Sequence, residues 1–368
     1  MKTIKSIPKN DGFYMPAEFA PHYGCIMIWP ERGDSWQYGG YSARKAFIKA
    51  AEIIARSEKL TVLTSEAQYN NARAMLAENI RVVELSTDDS WARDTAPTFV
   101  TNGKIIRGID WNFNAWGGLT DGLYFPWERD RQLARKLCDL YDVDIYDERD
   151  FILEGGSIHS NGAGTILTTE ECLLSEGRNS HMTKAEIEKK LKDTLGAEKV
   201  IWLPYGIYND ETNGHIDNIC AFTSETDIVL AWTDDENDPQ YELSSACLKV
   251  LENSTTSDGK KFTIHKLPLP KPIFITKNEC EGLDTMDGLP TRTPNERLAA
   301  SYVNFYISNA AIVMPFFNDK NDKIARDILT SLFPTREIIG IYARDILIGG
   351  GNFHCLTQQI PLGMPFIK

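Results

Sequence analysis

The pattern of apolar and polar positions repeats one order of elements through the middle of the chain. Two β-rich runs joined by a short polar turn predict hairpins over 98–109, 157–169, 218–232 and 301–317. Asn102-Gly103 and Asn161-Gly162 stand at the first two turns, and this dipeptide favours the positive φ angles of tight hairpins. The chain therefore predicts four successive hairpins.

A helix and then one more apolar strand follow each hairpin. The 3.6-residue period predicts helices over 128–141, 183–196, 238–253 and 319–333. Thr183 and Glu186 predict a capping box, and Asp238 before Pro239 is typical of a helix start. The strands that follow are predicted over 143–147, 200–204, 262–270 and 337–343.

The two ends of the chain supply a fifth, divided unit. Its strands are predicted over 23–30 and 59–64 around a helix over 42–57, and its remaining strand over 353–361. We therefore predict an α/β fold of five related units, closed as a ring by pairing of the N- and C-terminal strands in a single domain over 1–368. A plain two-domain α/β protein is the alternative, and four ordered repeats disfavour it.

Composition and charge narrow the classes of partner. The net charge of −13 disfavours binding to nucleic acid or anionic membranes and is compatible with cationic ligands. Seven cysteines without a CxxC pair indicate reduced thiols rather than a disulfide framework. The first residues lack an apolar signal segment, and no apolar run approaches the length of a membrane span. We expect a cytoplasmic protein with no nucleic-acid and no membrane partner.

Polar residues that could take part in catalysis, together with glycines, precede the predicted hairpins. They lie in "DDSWARDTAP", "LEGGSIH", "ETNGHIDN" and, ahead of the C-terminal strand, "GGGNFHC". If the units are related by rotation, these segments meet at one place, where glycine allows close backbone approach. The residues brought together would be Asp94, Glu154, His215, Asp217 and Cys355.

Each of these residues also has an ordinary structural interpretation. A lone cysteine is usually a small buried hydrophobe, which is what we expect of Cys25, Cys138, Cys172, Cys220, Cys247 and Cys280. Cys355 differs because it follows a glycine run and a histidine. His354 is disfavoured as its base because neighbours in a strand point to opposite faces. His215 and Asp217 suit a metal as well, but we find no second histidine cluster to complete a ligand set, so we expect no metal.

A cysteine, a histidine and three carboxylates favour one kind of chemistry. Attack by a thiolate needs an acid–base partner, which His215 would supply. Acyl transfer would need oxyanion donors instead of carboxylates, whereas two carboxylates can bind a guanidinium and keep it protonated. Substitution at the guanidinium carbon would expel ammonia and leave an amidino-cysteine that water hydrolyses.

Six blocks in order resemble those of the agmatine deiminases, within the guanidino-modifying pentein superfamily and related to bacterial-type peptidylarginine deiminases. They are "MPAEFAPHYGCIMIWPER", "DDSWARDTAP", "DWNFNAWGG", "LEGGSIH", "ETNGHIDN" and "GGGNFHCLTQQIP". The resemblance implies a five-bladed α/β propeller with its site on the axis and no cofactor. It also implies a homo-oligomer that hydrolyses agmatine to N-carbamoylputrescine and ammonia in putrescine and polyamine biosynthesis.

The resemblance also assigns roles to residues. Cys355 would be the nucleophile, His215 the acid–base, and Asp94 and Asp217 the carboxylates that grip the guanidinium. Glu154 would bind a guanidinium nitrogen and support the histidine. Near the distal amine and along the alkyl chain it places three further residues, Glu211, Trp91 and Trp116.

Three alternatives stay open. The first is a deiminase of peptidylarginine or of another guanidine. The second is an amidinotransferase, which the matched blocks disfavour. The third is a protein that binds a guanidino ligand without turnover, which an intact Cys355 and His215 disfavour.

Overall fold

Five sheets share one strand order in the computed structural model, which describes residues 1–286 and 288–366. In each sheet, the second strand of an antiparallel hairpin also pairs in parallel with a third strand. Sheet I contains Thr98–Thr101, Ile106–Asn112 and Ile145–Ile152, and sheet II contains His159–Ser160, Thr165–Thr169 and Lys199–Leu203. Sheet III contains Cys220–Phe222, Asp227–Trp232 and Thr263–Pro268, and sheet IV contains Tyr306–Ile307, Ala311–Phe316 and Glu337–Tyr342. Sheet V contains Thr357–Pro361, His22–Ile28 and Lys59–Thr64. The four predicted hairpins are therefore confirmed.

Sheet V joins the two ends of the chain, as predicted. Thr357–Pro361 runs antiparallel to His22–Ile28, with Pro361 opposite His22 and Thr357 opposite Met27. Two further strands extend the sheets in parallel. Arg81–Glu84 adds to sheet V and Thr3–Ile4 adds to sheet I.

The long helices follow the hairpins where the 3.6-residue period places them. Lys184–Leu195 begins at the predicted capping box of Thr183 and Glu186, and Pro239–Glu252 begins where the Asp238 side chain accepts a bond from the Gln240 amide. The helix predicted over 128–141 is divided at Gln132, whose amide bonds to the Arg129 carbonyl in a tighter turn. The long helices are Arg44–Ile54, Leu133–Leu140, Lys184–Leu195, Pro239–Glu252 and Asn321–Leu332.

Short elements make up the rest of the secondary structure. The short helices are Pro8–Asp11, Glu66–Gln68, Tyr69–Met75, Ala92–Thr95, Gly118–Asp121, Glu128–Arg131, Gly155–Ser157, Glu170–Leu173, Ile216–Ile219, Lys277–Glu281 and Arg344–Leu347. Ile273–Phe274 pairs with Arg297–Leu298, and Thr285–Met286 pairs with Leu289–Pro290. Among residues 1–286 and 288–366, every helix is too short or too polar to span a lipid bilayer.

Buried apolar side chains join each sheet to the next. One cluster unites sheets II to V and includes Leu203, Leu230, Val313 and Met27. A second cluster unites sheets I and II, and a third unites sheets V and I. Burial of apolar area is the main favourable term in folding, so the five sheets are stabilised through their neighbours.

Candidate functional site

Each predicted catalytic residue lies just before the first hairpin strand of its sheet. Asp94 lies in the helical turn Ala92–Thr95, and Glu154 precedes the turn Gly155–Ser157. Asp217 lies in the turn Ile216–Ile219, with His215 as its N-cap residue. Cys355 precedes Thr357–Pro361 in a turn, so the strand predicted from 353 begins four residues later.

Side chains from the segments before sheets I and III meet at Gly156, which lies in the segment before sheet II. A methyl group built on this glycine would lie 2.5 Å from Nδ1 of His215 and 2.9 Å from carboxylate oxygens of Asp217 and Asp94. The Gly156 amide donates a 2.8 Å hydrogen bond to Oδ1 of Asp94. The predicted convergence of these segments is therefore confirmed, and it requires the absence of a side chain at this position.

The Cys355 thiol lies beside these groups. Its Sγ is 3.5 Å from Oδ2 of Asp217 and 3.1 Å from Nδ2 of Asn304. Burial raises the pKa of the thiol well above its ordinary value, and the carboxylates of Asp217 and Asp94 raise it further. The thiol is therefore neutral while the site is empty of a cation. Gly351 allows this packing, since a methyl group there would lie 2.7 Å from the Trp91 ring and 3.0 Å from Sγ.

The sequence argument missed Asn304, which contacts the candidate nucleophile. Asn304 precedes Tyr306–Ile307, the first hairpin strand of sheet IV, so it stands where the site residues of the other sheets stand. The rule that located those residues would have found it. The predicted hairpin over 301–317 instead assigned Asn304 to a strand.

Arg178 is a second missed residue, and it contacts Glu154. Its Nε lies 2.9 Å from Oε1 of Glu154, whose other oxygen lies 3.5 Å from Nε2 of His215. Burial opposes ionisation of Glu154, but Arg178 and His215 outweigh it and lower the pKa of this carboxyl. The pKa of His215 is raised well above its ordinary value, because Asp94, Cys172 and Glu154 outweigh burial. Glu154 is therefore ionised and His215 protonated at neutral pH.

Asp94 is held by a backbone amide and by an indole. Nε1 of Trp116 donates a 3.0 Å hydrogen bond to Oδ2 of Asp94. Trp116 has a left-handed φ of 65°, and Arg178 donates to its carbonyl. Burial raises the pKa of Asp94 to about 6, with His215 opposing and Asp217 adding to the rise.

Two adjoining cavities lead from the surface to the thiol. The inner cavity is lined by Asp94, Thr212, Gly350, Gly351 and Cys355, and the outer one by Asp34, Asp89, Tyr124, Glu211 and Arg292, among others. Trp91 and Trp116 line both cavities. The two indoles are therefore shared by both cavities, and their role in lining an alkyl slot stays a prediction.

Glu211 faces the outer cavity, but its carboxylate already has a cationic partner. Arg292 forms an ion pair with it, and Arg292 itself is largely buried. No local sequence pattern points to this arginine, which is 81 residues away. Any cation that binds at this end must share Glu211 with Arg292.

Two expectations about cysteines and metals need correction. Cys280 is partly exposed, whereas the other cysteines are buried. The structure also forms the second histidine group that the sequence did not suggest, from Glu18, His159 and His354. Another potential ligand set consists of Glu154, Cys172 and His215. In each set the glutamate is paired with an arginine, Arg93 or Arg178, and this positive charge disfavours a metal cation.

Known proteins match this chain over nearly its whole length. Residues 14–361 match the family model of the Porphyromonas-type peptidyl-arginine deiminases. An agmatine deiminase of Pseudomonas aeruginosa is 52% identical over 363 residues, which cover 98% of this chain and 99% of that protein. An agmatine deiminase of Ectopseudomonas mendocina is 51% identical with the same coverage. A solved structure of the agmatine deiminase of Enterococcus faecalis, described as catalyzing its reaction, superposes with a TM-score of 0.95 at 43% identity, covering 98% of this chain and 99% of that one.

Replacing Gly156 by alanine tests the convergence. The added methyl group would displace the ends of His215, Asp217 and Asp94. We therefore expect kcat/KM of the reaction catalysed at this site to fall by about a hundredfold or more. Steady-state kinetics and thermal unfolding would be measured together. Gly103→Ala is the control for loss of stability: its methyl group meets nothing within 4 Å but its φ of 84° strains alanine, so it should lower the unfolding temperature and leave kcat/KM unchanged. An unchanged kcat/KM in Gly156→Ala would show that the three side chains do not act together.

Proposed function

Since the chain belongs to the family of Porphyromonas-type peptidyl-arginine deiminases, we propose that its buried site hydrolyses agmatine, as the agmatine deiminases among its relatives are named for doing. The enzyme is then a hydrolase of the C–N bonds of linear amidines. It converts agmatine and water to N-carbamoylputrescine and ammonia, a step toward putrescine and other polyamines. The observation that carries the proposal is the meeting of one thiol, one histidine and three carboxylates in one site.

Guanidinium binding is the first step. Asp94 and Asp217 lie on either side of Gly156 and form charge-assisted hydrogen bonds to the guanidinium nitrogens. Oδ1 of Asp217 is buried without a hydrogen-bond partner, and a buried polar atom of this kind is costly unless a ligand satisfies it. A planar cation with several N–H donors is the ligand that suits it.

The bound cation then activates the thiol. The carboxylates beside Cys355 raise the pKa of the thiol in the empty site. A guanidinium placed between them offsets their charge and lowers that pKa, because thiolate and guanidinium attract each other. The thiol proton is released to solvent as the cation binds, so the thiolate forms where the electrophilic carbon has arrived.

Proton transfer by His215 completes both half-reactions. The sulfur attacks the guanidinium carbon, and protonated His215 gives its proton to the departing nitrogen, which leaves as ammonia. Neutral His215 then takes a proton from water, whose oxygen attacks the amidino carbon. The C–S bond then breaks, the departing sulfur takes the hydroxyl proton of the intermediate, and the ureido product is released with the thiol regenerated.

Two other functions are distinguished by substrate comparison. A protein that binds guanidines without turnover would form no adduct at Cys355. A peptidylarginine deiminase needs an outer cavity that admits a polypeptide backbone, whereas here Arg292 and Glu211 pair inside it. Ammonia release from agmatine, arginine, a peptidyl arginine and guanidinobutyrate, measured side by side, separates these possibilities.

We further propose that the five sheets surround one axis as a five-bladed propeller, in a single domain. The apolar clusters that join I with II, II to V in turn, and V with I support this arrangement. Free cysteines along the described chain support a reducing cytoplasm. We also propose a homo-oligomer, in which the exposed side chains of Tyr38, Tyr41, Leu119 and Leu289 would be available for contacts between copies, and light scattering would detect it.

Cys355→Ser is expected to abolish turnover with the fold intact. A hydroxyl is a far weaker nucleophile than a thiolate under these conditions. Wild-type enzyme quenched during turnover should carry an amidino group on the peptide that contains Cys355, as measured by mass spectrometry. An adduct on another cysteine, such as the partly exposed Cys280, would refute the assignment.

The pH dependence of KM is expected to report Asp94. Its carboxyl has a pKa of about 6 in the empty site, and protonation removes a charge that binds the guanidinium. KM for agmatine should therefore rise as the pH falls below about 6, by up to about tenfold per unit. Asp94→Asn should show a high KM at every pH. A wild-type KM that stays constant down to about pH 5 would contradict this role for Asp94.

Glu211→Gln is expected to weaken turnover of agmatine far more than that of an uncharged alkylguanidine. The change removes a carboxylate near the amine and leaves the positive charge of Arg292 uncompensated. We expect about a tenfold or greater difference in kcat/KM between the substrates. Arg292→Gln is the reciprocal variant and should lower the KM for agmatine. Equal effects of Glu211→Gln on both substrates would mean that the amine binds elsewhere.

A further inference from the structure

A line of buried charged side chains lies behind Asp217 and outside the roles assigned above. Nδ1 of His354 is 2.9 Å from Oδ2 of Asp217, and Nε2 of His354 is 2.9 Å from Oε1 of Glu18. Nη1 of Arg93 is 3.1 Å from the same Glu18 oxygen. The side chains of Asp217, His354, Glu18 and Arg93 are at most 3% exposed.

The geometry determines the protonation state of His354. A carboxylate oxygen accepts hydrogen bonds, so a ring nitrogen that faces one must carry a proton. Neutral imidazole has a proton on a single nitrogen, but both nitrogens of His354 face carboxylate oxygens. His354 is therefore an imidazolium between two carboxylates.

We propose that Glu18 is a positioning residue for the reaction and acts through His354. It holds the His354 ring as an imidazolium, which orients Asp217 toward the guanidinium. The same positive charge balances Asp217 beside the Cys355 thiol, 3.5 Å away. This inference rests on the roles proposed above for Asp217 and Cys355.

Four charged or titratable groups face His354. Glu18 and Asp217 favour its positive charge, whereas Arg93 opposes it, with its Nε donating to the His354 carbonyl at 3.4 Å. His159 stacks on the ring at 6.2 Å between centroids, and burial lowers the pKa of His159 to about 4, so it is neutral. Burial and Arg93 oppose the imidazolium, but the two carboxylates outweigh them and raise the pKa of His354.

Glu18 is itself held as an anion. Burial disfavours its charge, but Arg93 and His354 outweigh burial, and the pKa of Glu18 lies well below its ordinary value. The Arg93 amide also donates to the Cys355 carbonyl at 3.1 Å. Glu18 therefore connects the N-terminal segment to the backbone that carries the nucleophile.

The proposal predicts a specific change in pH dependence. In Glu18→Gln the carboxylate that favours the imidazolium is lost, so the pKa of His354 falls. Since activity needs protonated His354, the alkaline limb of the kcat/KM profile for agmatine should move to lower pH by about one unit or more. On the alkaline side of the profile the loss of kcat/KM should then be about tenfold or more, with a much smaller loss on the acid side.

Two measurements separate this effect from a structural one. NMR of protein with ¹³C-labelled histidine, with His354→Asn identifying the signal, should show the lower His354 pKa directly. Glu18→Asp, which keeps the charge, should lower kcat with the limb in place, and it also serves if Glu18→Gln does not fold.

Glu58→Gln is the matched control. Glu58 is another buried glutamate, with Oε1 3.2 Å from Nδ1 of His22 and Oε2 accepting from the Tyr306 hydroxyl. The same substitution there should lower the unfolding temperature and leave the pH profile unchanged.

Three results would overturn the proposal. They are a uniform loss across pH in Glu18→Gln, an unchanged profile, or a shifted limb in Glu58→Gln as well. If wild-type protein releases no ammonia from agmatine, the proposed function fails instead, and the His354 pKa still reports whether Glu18 holds the imidazolium.

Discussion

One electrostatic constraint governs the arrangement of charged groups in this protein: several carboxylates lie beside a thiol in a buried site. Charges of one sign repel strongly where water is excluded, and each anion needs a partner to stay ionised. Basic groups supply that compensation: Arg178 for Glu154, His354 for Asp217, and Arg93 for Glu18. The positive charge near Asp94 offsets its burial less fully, so the pKa of this carboxyl is raised to about 6. The site can accommodate one more positive charge, which the guanidinium of the proposed substrate would bring.

The fold supplies this arrangement by repetition. Each sheet presents the segment before its hairpin toward the same place, so one residue or pair from each sheet meets the others without a long loop. Gly156 and Gly351 mark where these segments come closest, since a methyl group on either would contact the reacting side chains. Apolar clusters between neighbouring sheets fix the segments at this distance, as catalysis by positioning requires.

Much of this arrangement was predictable from local patterns. The hairpins, the long helices and the pairing of the terminal strands follow from hydrophobic period, turn residues and caps. Asp94, Glu154, His215, Asp217 and Cys355 follow from their shared place before the hairpins. Asn304 obeys the same rule and was missed because its segment was taken for a strand.

The charged partners of the site residues could not be predicted from local sequence patterns. Arg178, Glu18 and Arg292 contact partners tens to hundreds of residues away, and no periodicity links them to the site. His354 was set aside because it neighbours Cys355, yet its ring lies behind Asp217. Such pairs become visible only when the sheets are assembled, because burial, rather than sequence spacing, creates the need for a counter-charge.

Proton release on substrate binding tests the central claim most directly. Agmatine would be titrated calorimetrically into Cys355→Ser near pH 6, in buffers of different ionisation enthalpy. The account predicts that binding releases a substantial fraction of a proton per site, because the guanidinium forces Asp94 to ionise, and that Asp94→Asn in the same background removes the release. Tight agmatine binding with no proton released near pH 6 would contradict the claim that a bound cation forces the buried carboxyl of Asp94 to ionise.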